Sequence, residues 1–165
     1  MKVTIDAASK LIRNYSTEIM RMDSLESSNN MVCYSEGEEK LIPEYDMEKH
    51  QAELDRLNGN IQAIKHAINQ FNCSYVLPNL GITIDVALVE MAVLSRRVAV
   101  MNRMRGVPKK SRSNTFRSET VEYREPNYSL ELANQLYEKM SNRLTEIQSA
   151  LNLANVTNEI EVDLK

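Results

Sequence analysis

The residues with the clearest chemical potential lie between positions 96 and 124. This stretch holds nine basic residues against two acidic ones, a local charge of +7, while the rest of the 165-residue chain carries −10. Such a concentration of cations on an acidic protein is an electrostatic address for an anion. Four arginines head the list of candidates. Arg103 and Arg105 close a predicted helix, and Arg112 and Arg117 follow on a loop and strand. Gly106 and Pro108 let the chain turn back between them, so the four guanidiniums can converge. Each offers a planar fork of N–H donors that matches phosphate oxygens. Ser118 and Glu119 follow Arg117; Glu119 can orient that arginine or accept from a ribose hydroxyl. Asn72 and Asn155 fall at the ends of two predicted helices, where each can offer an amide to a ligand or cap its own helix. The same cations can instead pair with acidic neighbours such as Glu36, Glu38 and Glu39, or sit favourably at a helix C-terminus.

The residues of catalysis are sparse. His50 and His66 lie sixteen positions apart on one predicted helix, outside any metal-ligand spacing. Cys33 and Cys73 form no Cys-x-x-Cys pair and no disulfide framework, so two free thiols in a reducing cytosol are expected. The four glycines are isolated, and no phosphate loop, dinucleotide fingerprint or nucleophile elbow occurs. The expectation is therefore a non-enzymatic protein without metal or cofactor.

The elements that must position these residues are helices. With 4 Gly, 4 Pro, 2 Phe and no Trp, the chain lacks the turn residues and bulky aromatics of a barrel or sandwich. Met47, Leu54, Leu57, Ile61, Ile64, Ile68 and Phe71 follow a heptad seam, with Gln51 completing it and Asp46 placed to cap the helix. Leu130, Ala133, Tyr137, Met140, Leu144, Ile147, Leu151 and Ala154 repeat the pattern, capped by Asn127 or Ser129. Leu132, Leu136 and Leu153 widen this second stripe. Ala8, Leu11, Ile12, Tyr15, Ile19, Met22 and Leu25 share one face of a further helix. The helix over 83–105 is apolar around most of its first half, so it is either central or meets another subunit.

These patterns predict one mostly α domain over 1–165, a four-helix antiparallel bundle with short β-hairpins or ribbons between helices. The helices are expected over 6–25, 46–72, 83–105 and 128–155, with a basic loop and strand over 106–125. Strand character is expected in a hairpin over 31–43, in a small turn over 75–84, over 115–124 and over 160–164. No apolar run is long enough to span a bilayer, which predicts a cytoplasmic protein without membrane contact. Two heptad stripes and an all-round apolar helix offer more apolar surface than one small bundle buries, so a homo-oligomer is expected.

The order of several short motifs resembles the septicolysin-like family of small helical bacterial and phage proteins. Ile68-Asn69-Gln70-Phe71-Asn72 is similar to the family's Ile-Asn-Arg-Thr-Asn. Gly81-Ile82-Thr83-Ile84 then leads into Ala87-Leu88. Arg117-Ser118-Glu119 is similar to its Arg-Ser-Glu, and Asn155-Val156-Thr157 stands where it has Asn-Trp-x-Thr. Gln70, Val156 and Glu90-Met91-Ala92 replace the family's Arg, Trp and Arg-Arg-Asp. The resemblance implies a helical, oligomeric protein and assigns no activity. The expected function is an oligomeric protein that captures an anionic, nucleotide-like small molecule, by analogy with phage proteins that sequester bacterial immune signals. The alternatives are a nucleic-acid-binding protein using the same arginines, with only Phe116 and Tyr123 at hand to stack on bases, or a structural interaction module.

Overall fold

A computed structural model describes residues 1–113 and 121–165. The elements run β1 (Lys2–Thr4), α1 (Ile5–Asn29), α2 (Met47–Ser74), α3 (Ile84–Arg105), β2 (Ser111–Ser113), β3 (Glu122–Arg124), α4 (Leu130–Thr157) and β4 (Glu159–Glu161). The fold class is the one the periodicity predicts: mostly α, with four helices and two short antiparallel strand pairs. Among the described residues, no helix is long and apolar enough to cross a membrane. The residues gather into two compact units, Met1–Ser74 with Ala154–Lys165, and Tyr75–Leu153.

In the first unit, α1 and α2 form an antiparallel pair. Tyr45, just before α2, and Gln51, in its first turns, donate to the carboxylate of Glu26 near the end of α1, at 3.0 and 3.3 Å. At the other end, Ile5 and Ala8 of α1 share a buried cluster with Ile64 of α2. Both helices start on caps that satisfy free amides of the first turn. Thr4 Oγ1 accepts from Ala7 N–H at 3.2 Å, and Asp46 Oδ1 accepts from Lys49 N–H at 3.1 Å. The tail alternates as expected over 160–164, and its strand partner is the chain start. Val3 lies opposite Ile160 in the β1–β4 pair, and Ile160 and Val162 point into the Ile5–Ala8–Ile64 cluster. Sequence periodicity gives no hint of β1, because three residues are too few to show a period of two.

The buried face of α2 departs from the heptad expectation at its start, where Met47 is 63% exposed, and by one position near its middle. Asn60 is 2% exposed, whereas Ile61 is half-buried. A buried amide must find partners, and this one finds both in the backbone of Lys165. Lys165 N–H donates to Asn60 Oδ1 at 2.8 Å, and Asn60 Nδ2 donates to the Lys165 carbonyl at 3.1 Å. Arg56 Nη1 adds a third bond to that carbonyl at 2.9 Å. The side chain thus imitates a strand neighbour and holds the tail against α2.

The hairpin expected over 31–43 does not form. A turn is present, with Glu38 N–H donating to the Ser35 carbonyl at 3.1 Å and Gly37 at φ +89°, but no ladder flanks it. Met31, Leu41 and Ile42 are more than 70% exposed, so a ribbon here would have no apolar face to bury.

In the second unit, Val76 and Thr83 form a β-bridge around a turn in which Leu80 and Gly81 both donate to the Leu77 carbonyl. Gly81 adopts φ +66°, a conformation that side chains disfavour. This realises the turn expected over 75–84 and delivers the chain into α3. Helices α3 and α4 run antiparallel: Tyr128, just before α4, and Asn134, in its first turns, bond Met104 and Arg105 at the end of α3, while Arg143 bonds Glu90. Ser129 Oγ caps α4 by accepting from Leu132 N–H at 3.1 Å. Ile84, Ala87, Met101, Ala133, Ile147 and Leu151 are buried. Leu132 and Leu153 do not widen the core; they are 53% and 62% exposed. Nor is α3 covered all round, since Val86, Val89 and Val93 lie open to solvent.

The α2 register makes a direct test. Ile64→Asp places a charge at a fully buried position and is expected to cost several kcal/mol, about the whole stability of a small domain. Ile61→Asp should be much milder. Asn60→Ala should cost about 1–3 kcal/mol by orphaning the tail amide. Chemical denaturation monitored by circular dichroism measures all three; equal losses at positions 61 and 64 would contradict this register.

Candidate functional site

The basic end of the α3–α4 hairpin is built by closing a loop. Tyr128 donates its hydroxyl to the Met104 carbonyl at 2.9 Å, satisfying a free acceptor at the α3 C-terminus. Between these two residues the chain leaves as β2 and returns as β3, with Ser111 opposite Arg124, Arg112 opposite Tyr123 and Ser113 opposite Glu122. Lys110 and Glu125 pair across the base of this ribbon at 3.0 Å, and the Lys110 ammonium lies 4.5 Å from the centre of the Tyr123 ring. The strand expected over 115–124 is thus present as Glu122–Arg124; Val121 precedes it outside the strand, and residues 115–120 lie outside the described residues.

Arg105 is the most firmly held of the candidate arginines. Its Nε donates to Asn102 at 3.0 Å and its Nη1 to Asn134 at 3.2 Å. The guanidinium lies 3.6 Å from the centre of the Tyr137 ring, a cation–π contact that also fixes its plane. Arg103 is exposed on the last turn of α3, and Arg112 is exposed on β2. The structure therefore brings Arg103, Arg105 and Arg112 to one end of one unit. Arg117, Ser118 and Glu119 lie outside the described residues. Asn72 and Asn155 belong to the other unit and are not terminal: α2 continues to Ser74 and α4 to Thr157. The residue that closes α4 is Asn158, which donates its backbone N–H and its Nδ2 to the Ala154 carbonyl.

Among the described basic residues of 96–124, Lys110 alone forms an ion pair with a described carboxylate. The acidic run Glu36–Glu39, a possible internal partner, forms no ion pair among the described residues. The basic end therefore keeps most of its positive field. The negative end of the α3 dipole offsets part of it, but falls off within the last turn.

Two other polar clusters escaped the sequence reading. Glu26 accepts from Tyr45 and Gln51, and its second oxygen lies 3.8 Å from His50 Nε2. Burial, aided by the Glu26 bond, raises the Tyr45 phenol above its ordinary value. This cluster joins α1 to α2. Glu90 and Arg143 form a bidentate pair, 2.8 Å from Nε to Oε1 and 3.2 Å from Nη2 to Oε2. Arg143 also lines an open cleft of about 520 Å³ with Asn79, Leu80, Thr145, Glu146 and Ser149. Its partner was hidden because α3 and α4 lie 53 residues apart at this contact. His66 is exposed, as are both cysteines. Among the described residues, no three His, Cys, Asp or Glu side chains gather to hold a metal ion.

The Arg143 hydrogen bond holds the Glu90 carboxyl below its ordinary 4.5, against the opposing effect of burial. A carboxyl depressed in the folded state stabilises that state when ionised. The contribution is whole above pH 4.5 and is lost as pH falls through the lower folded value. Glu90→Gln is therefore expected to lower Tm at neutral pH, and the gap to wild type should close under acid conditions. A gap that persists unchanged into acid would show that ionisation of Glu90 contributes nothing.

No protein-family model matches this chain, and no curated protein matches it. Among solved structures it is similar to the crystal structure of a functionally unknown conserved protein from Corynebacterium diphtheriae. The two share 13% identity and a TM-score of 0.68, over 98% of this chain and 100% of the other. At that identity the likeness shows the fold: the arrangement of helices and ribbons described above occurs in a solved bacterial protein.

Proposed function

We propose that this protein is a non-enzymatic binding protein for an anionic, phosphate-bearing small molecule, held at the basic end of the α3–α4 hairpin. The supporting observation is the charge balance there. Arg103 and Arg112 carry guanidiniums that no described carboxylate neutralises, beside an Arg105 already fixed in orientation by Asn102, Asn134 and Tyr137. Fixing one guanidinium in advance lowers the entropy lost when it grips an anion. Exposed guanidiniums without a described carboxylate partner supply charge and forked hydrogen bonds. Arg117, Ser118 and Glu119 extend this reading along the sequence between β2 and β3. A nucleotide suits such a site because it adds a base and a ribose to the phosphate. Tyr123 is 59% exposed on the ribbon and offers a surface for the base.

The test is calorimetry with a panel of cyclic and linear nucleotides, alongside short single- and double-stranded DNA and RNA. A nucleotide is expected to bind, and Arg112→Ala or Arg117→Ala should each weaken it about tenfold or more, the scale of one charge-assisted hydrogen bond. Arg105→Ala should weaken it and also loosen the hairpin end. Salt-sensitive binding of the polymers alone would replace this reading with nucleic-acid binding. Silence from every ligand, with mass spectrometry finding no small molecule released from the purified protein, would leave a structural module.

A further inference from the structure

Helix α3 carries two apolar faces. One is buried and includes Ile84, Ala87 and Met101. On the opposite side, Asp85, Val89, Ala92 and Arg96 follow each other at spacings of four, three and four, the rhythm of a helix-packing seam. All four are exposed, Val89 to 67%. Leu88 and Val93, 39% and 48% exposed, flank the seam on either side. Its two ends carry opposite charges: Asp85 toward the helix start, Arg96 toward its end. Arg96 has no described carboxylate partner; its Nε rests on the Ala92 carbonyl of its own helix at 3.3 Å.

We infer that this seam is the contact between two copies of the chain, packed antiparallel about a two-fold axis midway between Val89 and Ala92. The sequence numbers make the case. An axis at that midpoint sets Val89 against the partner subunit's Ala92 and Leu88 against the partner subunit's Val93. The same register, with no further choice, sets Asp85 against the partner subunit's Arg96, and symmetry repeats that pair. The register that centres the apolar patch is thus also the register that neutralises its charged ends. Parallel packing would instead place Asp85 on the partner's Asp85 and Arg96 on the partner's Arg96, two like-charge contacts. Ala92 at the centre lets the two helices approach closely. The surface thus fits a second copy of itself.

The pairing has a consequence for the basic ends. Arg103 and Arg105 lie beyond the seam, so the two copies point theirs in opposite directions, about 40 Å apart at the rise of an α-helix. Each copy keeps its own basic end, and a small ligand bound there is not shared. The pairing does not rest on the anion-binding reading.

Analytical ultracentrifugation and thermal melts test it on the full chain. Wild type is expected at twice the 18.9 kDa chain mass at micromolar concentration. Val89→Asp should return it to the mass of one chain with an unchanged melting curve at matched monomer state, since the position is solvent-exposed. Asp85→Arg and Arg96→Asp should each raise the dimer dissociation constant about tenfold or more, by setting like charges together twice. Asp85→Arg combined with Arg96→Asp should recover most of the loss. A monomeric wild type, a dimer indifferent to Val89→Asp, or a double variant no better than the single ones would each overturn the assignment. Nucleotide calorimetry on Val89→Asp keeps the two questions apart: retained binding with lost dimerisation supports the separate basic ends, whereas dimerisation without nucleotide binding leaves the seam standing alone.

Discussion

A buried amide organises the first unit. Asn60 is set into an otherwise apolar face of α2, where an unpaired polar group is costly. Its two functional atoms are satisfied together by one residue of backbone, Lys165. That condition fixes where the tail lies, and the position of the tail fixes β4. In turn β4 supplies Ile160 to the cluster and pairs with β1, which leads directly into the Thr4 cap and α1. Hydrophobic burial provides most of the driving force here. The amide fixes the register, because apolar packing of an alternating tail tolerates a shift by two residues and a paired hydrogen bond does not.

The second unit uses polar contacts differently. Its α3–α4 hairpin is tied along its length by Arg143 on Glu90, and at its end by Arg105 on Asn134 and Tyr128 on Met104. These are contacts between elements remote in sequence. They contrast with the i,i+3 pairs Glu18–Arg21 and Glu53–Arg56, which are exposed and contribute little beyond local helix support. Evenly charged surfaces need no partner. Here the charge is uneven along α3 itself, acidic near its start and basic from Arg96 onward, on a helix whose outer face is apolar. That gradient links the two inferences drawn above: the middle of the helix suits another helix, and its end suits an anion.

Much of this was legible in the sequence. Apolar periodicity marked the helices, Asp46 announced the cap of α2, and the cap of α4 was narrowed to Asn127 or Ser129, of which Ser129 acts; each cap works through amides within its own first turn. The turn before α3 was equally readable from Pro78 and Gly81. The charge asymmetry of 96–124 needed only counting. Less visible were Asn60 in place of Ile61, the missing ladder around Gly37, and the continuation of α2 and α4 past Asn72 and Asn155.

The sequence by itself determined the periodic, capped segments and the local excess of cations, because those properties rest on residues within a few positions of one another. Tertiary structure decided the rest: which side of α2 faces inward, which strand meets the tail, which arginine stacks on Tyr137, and which face of α3 stays open. Each of those outcomes depends on a partner tens of residues away. Such a contact forms only when its own energy exceeds the entropy of closing the loop between, and no local pattern records that balance.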